Sequence, residues 1–463
     1  MLIERIYHRG LAQASYLIGC QATGEALVVD PNRHIDQYLV AAARHGLRVV
    51  AVTETHIHAD YLSGARELAA RAGAALYLSA MGTPDWQYAF LAEGRALRDG
   101  DTIAVGNIRV RALHTPGHTS EHLSFLVTDG AASELPMGLL SGDFVFVGDV
   151  GRPDLLERAA GAAGTMEAGA RQLHASLDRL RALPEYLQIW PGHGAGSACG
   201  KSLGAVPQTT VGYELRTSWA LAIDDEGRFV DAVLSGQPDP PPYFARMKRV
   251  NREGPPPRPR GDLPELSVSE LSHTRGGPLL LDVRPAADFA AGHLPGALNL
   301  SAGDSFLTWA GWLVPHDRSL VLVGEPEAAC AAREELLLIG LDDVAGLVPP
   351  GALRVWEPLE TTRRRPAAAL VDEVLGGEAL VLDVRGEDEH AAGRIPASRN
   401  IPLRRLEERL GELPRDRGLV VYCQAGYRSA VAASLLQAHG WADVTNMQDG
   451  FAAWQAAGAP VER

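Results

Sequence analysis

The chain has 463 residues, 46% hydrophobic and 22% charged, a balance that supports packed cores and speaks against disorder; at about 150 residues per domain its length predicts roughly three domains. A formal net charge of −14 with no long Lys/Arg stripe argues against a nucleic-acid partner, which needs a basic face to neutralise phosphates. The four cysteines show no C-x-x-C spacing and no apolar run reaches the length of a membrane span, so neither a disulfide framework nor a membrane segment is expected. A reducing cytoplasm fits best, and the N-terminal MLIERIYHRG, broken by charges, is not expected to act as a secretory signal.

In chain order, LRVVAVTET reads as a buried strand and runs into THIHADY at 55–61, which places His56, His58 and Asp60 within five residues at a strand end. Imidazole nitrogens there suit zinc or iron, and a carboxylate adds a harder oxygen ligand. Three further packets follow strand-like runs beside Gly or Pro: LHTPGHT with His114 and His118, SGDF with Asp143, and WPGHG with His193. One such packet is unremarkable on a loop; four in one domain point to a metal site. AGSACGKS at 195–202 mimics a phosphate loop, but Ala195 stands where that motif needs Gly. Within it Cys199 has two readings: a small buried hydrophobe, or a thiol whose pKa a helix N-terminus and Lys201 lower and which contacts substrate.

The Pro/Gly/Arg-rich NREGPPPRPRGDLP at 251–264 closes a first domain over 1–250. Beyond it LLLDVRPAADFAAGHLPGALNL, from Leu279, is echoed by LVLDVRGEDEHAAGRIPASRNI, from Leu380, with Asp282 and Asp383 101 positions apart. Two homologous units are expected, over 265–356 and 367–463, separated near EPLETTRRRP at 357–366, whose RRR reads as solvated linker. Strands alternating with helical patterns predict parallel α/β sheets, with ligands at strand C-termini.

The last unit carries LVVYCQAGYRSAVAA: a strand ends at Cys423, a turn runs through Gln424, Ala425, Gly426, Tyr427 and Arg428 to Ser429, and a helix follows. Successive backbone N–H groups and a helix N-terminus stabilise a thiolate or persulfide anion in such a turn, and Arg428 adds a full positive charge. The Cys-to-Arg spacing also suits a phosphatase loop. In the first repeat SLVLVG puts Gly324 at the cysteine position, acids replace the basic residue, and Cys330 falls inside the next helix.

THIHAD, PGH, SGD and PGHG in this order resemble the metallo-β-lactamase superfamily, which implies an αββα sandwich. Its dinuclear hydrolases would use His56, His58 and His118 for one metal, Asp60, a histidine at 61 and His193 for the other, with Asp143 bridging; here position 61 is Tyr61. A phenol ligates only when deprotonated. Together with GDVGRPDL at 148–155, this resembles the persulfide dioxygenase branch. The resemblance implies one Fe(II) per domain (zinc as purified is an open alternative) on His56, His118 and Asp143, with His58, Asp60, Tyr61 and His193 close by, orienting ligands or touching substrate. LDVR at 382–385, DGFAAW at 449–454 and the Cys423 loop resemble the rhodanese sulfurtransferases, which favours that reading over a phosphatase.

The expectation is therefore an α/β protein in which a metallo-β-lactamase sandwich precedes two rhodanese-like domains, the first without its cysteine. It would oxidise a small thiol persulfide with O2 to sulfite and thiol, and make or use thiosulfate through Cys423 and Arg428. A dinuclear zinc thioester hydrolase of glyoxalase II type, a sulfide sensor or a sulfur carrier are the alternatives, and homo-oligomerisation stays open.

Overall fold

In a computed structural model that describes residues 1–161, 164–201, 203–267, 271 and 277–463, the chain divides into two units, Met1–Pro259 with Leu336–Gly340, and Arg260–Glu335 with Leu341–Arg463. Ser202 of the AGSACGKS stretch and a few residues of the 265–356 domain lie outside the described residues.

The first unit is built on two six-stranded sheets. One orders Leu2–His8, Gln13–Cys20, Glu25–Val29, Arg48–Thr53, Ala75–Ser79 and Arg95–Leu97 side by side; the other orders Thr209–Thr210, Gln188–Pro191, Gly138–Gly142, Leu123–Asp129, Ile108–His114 and Thr102–Val105. Strand Gln13–Cys20 shows why they stack. Leu17 packs with Tyr38 and Leu68 of the helices Asp36–Arg44 and Ala65–Ala72, whereas Ala14, Tyr16, Ile18 and Cys20 point to the opposite sheet. This is the period-2 alternation of a strand covered on both faces. Helix Thr165–Arg181 covers the second sheet with Leu173, Leu177 and Leu180 against Leu139 and Ile189. The αββα sandwich is thus present, and the boundary expected at 250 falls inside the helix Phe244–Glu253, which belongs to this unit.

The strand ends that carry the His/Asp packets are tied together through backbone. Leu123 N donates to Thr55 O at 2.7 Å, Gly192 N to Gly142 O at 2.8 Å and Ala14 N to Gly192 O at 2.8 Å. Loops from both sheets are thereby fixed to one edge of the sandwich.

The second unit holds two parallel sheets of matching order. The four-stranded sheet runs Leu298–Asn299, Leu279–Asp282, Leu320–Val323, Val344–Val348; the five-stranded one runs Arg399–Asn400, Leu380–Asp383, Leu419–Tyr422, Val444–Met447, Arg363–Arg365. The repeat extends to side chains. Arg284 and Arg385 each donate to the aspartate two residues before them at 2.6 Å, and the Asn299 and Asn400 amides donate to the carbonyls of those same Asp and Arg residues at 3.0 Å. RRR at 363–365 is an edge strand paired with Thr445–Met447 rather than linker, so this sheet begins ahead of residue 367. Cys330 is exposed on the helix Pro326–Leu338. Among the described residues no helix is long and apolar enough to cross a membrane.

Leu17 is wholly buried between sheet and helices, so Leu17→Ala should destabilise the first unit by about 2–5 kcal/mol, read as a lower urea midpoint.

Candidate functional site

Asp143 follows Gly142, whose φ of +52° turns the chain where a Cβ would lie 2.6 Å from Thr55 Oγ1 and 2.8 Å from His122 Nε2. Only glycine fits that close approach. Asp143 N donates to His122 Nε2 at 3.1 Å, which fixes the backbone behind the carboxylate.

His56, His118 and Asp143 are brought together, their ligand atoms all within 4.8 Å of one another. His56 Nε2 lies 3.8 Å and His118 Nε2 3.7 Å from Asp143 Oδ2, too far for hydrogen bonds and suited to a cation between them. The tautomers agree. The Thr55 hydroxyl donates to Asp30 Oδ2 at 2.9 Å, so its oxygen accepts from His56 Nδ1 at 2.9 Å; the Arg152 carbonyl accepts from His118 Nδ1 at 3.0 Å. Each ring therefore carries its proton on Nδ1 and presents an Nε2 lone pair, the state a metal requires. His118 Nε2 and Asp143 Oδ2 are buried with no hydrogen-bond partner among the described residues, a cost of about 1–3 kcal/mol each that a bound cation relieves. Burial and then neighbouring His58 and His118 hold the His56 pKa well below its usual value; burial and then Lys248 do the same for His118. Two neutral imidazoles and one carboxylate fit a divalent transition metal.

Asp60, His193 and Cys199 converge as a second group that could hold a metal ion, their ligand atoms within 4.8 Å of one another. His193 donates from Nδ1 to Asp143 Oδ1 at 2.7 Å and from Nε2 to Asp60 Oδ2 at 2.8 Å. Burial opposes its charge, yet Asp143 and Asp60 outweigh burial and hold its pKa well above the usual value. His58 Nε2 donates to Asp30 Oδ1 at 3.1 Å. Tyr61 is fully buried, its ring centroid 4.5 Å from that of His58. Burial, then the Asp30 and Asp60 carboxylates, push its phenol well above the ordinary range.

The reading of Cys199 as a lowered-pKa thiol is corrected: burial, then Asp60 and Asp143, push it well up. Its segment is a turn with no helix, and Lys201 Nζ is engaged by the Ala232 carbonyl at 2.6 Å.

In the second unit Cys423 follows strand Leu419–Tyr422, and Gly426, at φ +97°, turns the chain into helix Tyr427–Ala438. A Cβ at 426 would meet Gln448 O at 1.9 Å. Gly426 N donates to Cys423 Sγ at 3.1 Å and Ser429 Oγ lies 3.6 Å from that sulfur. Gln424 and Ala425 are exposed, Tyr427 and Arg428 half-buried; Tyr427 Oη donates to Ser301 O of the first repeat at 3.2 Å. Arg428 is shared: it donates to both Glu389 oxygens at 2.6 and 2.8 Å. In the first repeat a Cβ at Gly324 would lie 2.7 Å from Val283 Cγ2.

Asp30, His122, Glu389 and Lys248 were not singled out from sequence. ALVVD ends on a strand-terminal aspartate as SGD does, and that pattern could have found Asp30; Glu389 and Lys248 carry no local signal.

A Cβ on Gly151 would sit 1.8 Å from Asp143 O and 3.1 Å from His118 Cβ. Gly151→Ala should therefore weaken metal binding by about 10–100-fold, measured by chelator competition, while the far-ultraviolet circular dichroism stays native.

The metallo-beta-lactamase superfamily model matches residues 8–193, and the rhodanese-like domain model matches 267–348 and 367–457. A metallo-beta-lactamase structure from Staphylococcus aureus is 42% identical with a TM-score of 0.69, covering 76% of this chain and 99% of that one. Hydroxyacylglutathione hydrolases of Rhodospirillum rubrum and Gloeobacter violaceus are 30% and 35% identical over 38% of this chain; the chain spans 60% and 62% of their lengths. With the S. aureus chain matched almost end to end at 42% identity, this chain belongs to the metallo-β-lactamase superfamily, as a metallo-β-lactamase domain followed by two rhodanese-like domains.

Proposed function

We propose that the first unit oxidises a small thiol persulfide with O2 at a single Fe(II), and that Cys423 exchanges sulfane sulfur with sulfite and thiosulfate. The observation that carries the first part is His193: both nitrogens donate to carboxylates, and Tyr61 is a neutral phenol, so one complete ligand set remains, His56, His118 and Asp143. Two imidazoles and a carboxylate on one face are the set used for non-haem Fe(II). Bound there, iron would supply the O2 and redox chemistry that zinc lacks. The residues around it orient and exclude. His193 holds Asp143 by Oδ1 and leaves Oδ2 toward the cation, Thr55 and the Arg152 carbonyl fix the two rings, and burial of all three ligands keeps bulk water off the reacting sulfur. Overall, one R–S–SH, one O2 and one water give one R–SH, one sulfite dianion and two protons, with four electrons passing from the terminal sulfur to O2.

At Cys423 the persulfide anion Cys–S–S⁻ and sulfite give the Cys423 thiolate and thiosulfate; the S–S bond to Cys423 breaks as the new S–S bond forms. The Gly426 N–H and the helix N-terminus support negative charge on the sulfur in both states. Because Glu389 offsets the Arg428 charge, the loop is tuned away from a dianionic donor and toward a singly charged persulfide.

A second reading is favoured by the relatives named hydroxyacylglutathione hydrolase: thioester hydrolysis with two zinc ions. It requires His193 to lose a proton and release Asp60 or Asp143.

Anaerobically Fe(II)-loaded protein should consume O2 and form sulfite in equal amounts when given a small thiol persulfide; hydrolysis of a glutathione thioester with no O2 uptake would point to the second reading. Cys423→Ser should abolish sulfur transfer to cyanide while O2 uptake persists. Glu389→Gln should raise kcat/KM for thiosulfate by about tenfold, the scale of one charge-assisted hydrogen bond; an unchanged value would remove Glu389 from donor selection.

A further inference from the structure

The first repeat lacks the cysteine yet keeps the frame that surrounds it: Asp282 holds the Arg284 guanidinium, and the Asn299 amide donates to the carbonyls of both. The repeats differ at the neighbouring edge strand. In the second, Arg399 is exposed and Asn400 half-buried; in the first, the equivalent Leu298 and Asn299 are both buried. Helix Tyr427–Ala438, which follows the Cys423 turn, packs against that strand. Asn299 N donates to Ser434 Oγ at 3.0 Å, and that hydroxyl donates in turn to Val431 O at 2.8 Å, so the helix gives an edge-strand N–H its acceptor. Two turns earlier on the same side of the helix, Tyr427 Oη donates to Ser301 O at 3.2 Å. In the last turn Gln437 Nε2 donates to Thr361 O at 2.9 Å. Ser301 is itself held, its hydroxyl donating to Arg284 O at 3.0 Å. A run of bonds thus leads from the Asp282–Arg284 pair through Ser301 to Tyr427, next in the chain to Gly426, whose N–H donates to Cys423 Sγ at 3.1 Å.

We propose that the first repeat positions the sulfur-transfer loop of the second: through Ser301 it fixes Tyr427, and Tyr427 keeps the first turn of its helix, with the Gly426 N–H, aimed at the Cys423 sulfur. The inference rests on the sulfur transfer proposed above for Cys423. Tyr427 is a positioning residue, since its hydroxyl is spent on the Ser301 carbonyl. Gly426, left-handed at φ +97° and without a side chain, takes its rigidity from its neighbours, and a hydrogen bond weakens steeply once its donor swings out of line. Holding Tyr427 therefore holds the N–H that supports negative charge on the sulfur, and a repeat without a nucleophile retains a part in the chemistry.

The test uses the full-length chain carrying Cys330→Ser, which removes the exposed cysteine. Alkylation of Cys423 by iodoacetamide at neutral pH, followed by peptide mass spectrometry, reads thiolate reactivity with no sulfur donor present. Tyr427→Phe should slow it about fivefold, the scale of one neutral hydrogen bond, and Ser301→Ala should slow it by less. The kcat/KM for thiosulfate, with cyanide as acceptor, should fall in step. Cys423 is buried, so mere loosening of the loop would speed alkylation; unchanged or faster alkylation in Tyr427→Phe overturns the positioning role. A raised KM for thiosulfate beside unchanged alkylation also overturns it, by making Tyr427 a donor contact. Slowing by Tyr427→Phe that Ser301→Ala does not share removes the first repeat from the effect. If Phe at 427 lowers the melting temperature, Ser301→Ala decides by the same sign. Where both variants slow alkylation but even the parent transfers no sulfur, the sulfur-transfer reading fails and the positioning stands; where the parent transfers sulfur and neither variant alters either rate, the positioning fails.

Discussion

The imidazole of His193 stands between two buried carboxylates, donating to Asp143 at 2.7 Å and to Asp60 at 2.8 Å. Charge-assisted bonds of this kind contribute about 1.5–3 kcal/mol each, and either carboxylate left unpaired at that depth would be strongly destabilising. The pair of bonds engages both His193 nitrogens and Asp143 Oδ1, and it leaves Asp143 Oδ2 near His56 and His118. A wholly buried phenol beside Asp30 and Asp60, Tyr61 keeps its proton. On the proposed reading, this edge uses one ligand set, His56, His118 and Asp143.

The two candidate sites differ in the means by which they would hold negative sulfur. In the sandwich, His56, His118 and Asp143 are placed to hold a cation. In the rhodanese-like loop the charge is met by backbone: Gly426 N–H at 3.1 Å from Cys423 Sγ and a helix N-terminus behind it, while Glu389 tempers the nearby guanidinium. Sulfite links them as chemistry, because it is the oxidised product of one proposed reaction and the sulfur acceptor of the other.

Much of this was readable in the chain. Each His/Asp packet follows an apolar strand, and period-2 patterning places such packets at one sheet edge; the repeat around Asp282 and Asp383 announced two similar sheets. What could not be read depends on partners far along the chain. RRR at 363–365 joins a sheet through backbone pairing with Thr445–Met447, for which three arginines give no apolar sign. The helix Phe244–Glu253 runs past the boundary expected at 250 because Asn251, Arg252 and Glu253 still continue it, and the Gly/Pro run that ends it begins only at Gly254. The surroundings of Cys199 reversed its expected acidity: no helix begins there, Lys201 turns to Ala232, and two carboxylates lie near. Nothing local showed that Arg428 would be shared with Glu389.

The central claim of the proposal is that this edge holds one metal on His56, His118 and Asp143. Metal content per chain, determined on protein purified anaerobically from iron-replete cells, tests it most directly. One iron per chain, lost on Asp143→Ala, is the expected result; two zinc ions per chain, with His193 released from Asp60 to bind one of them, would contradict it.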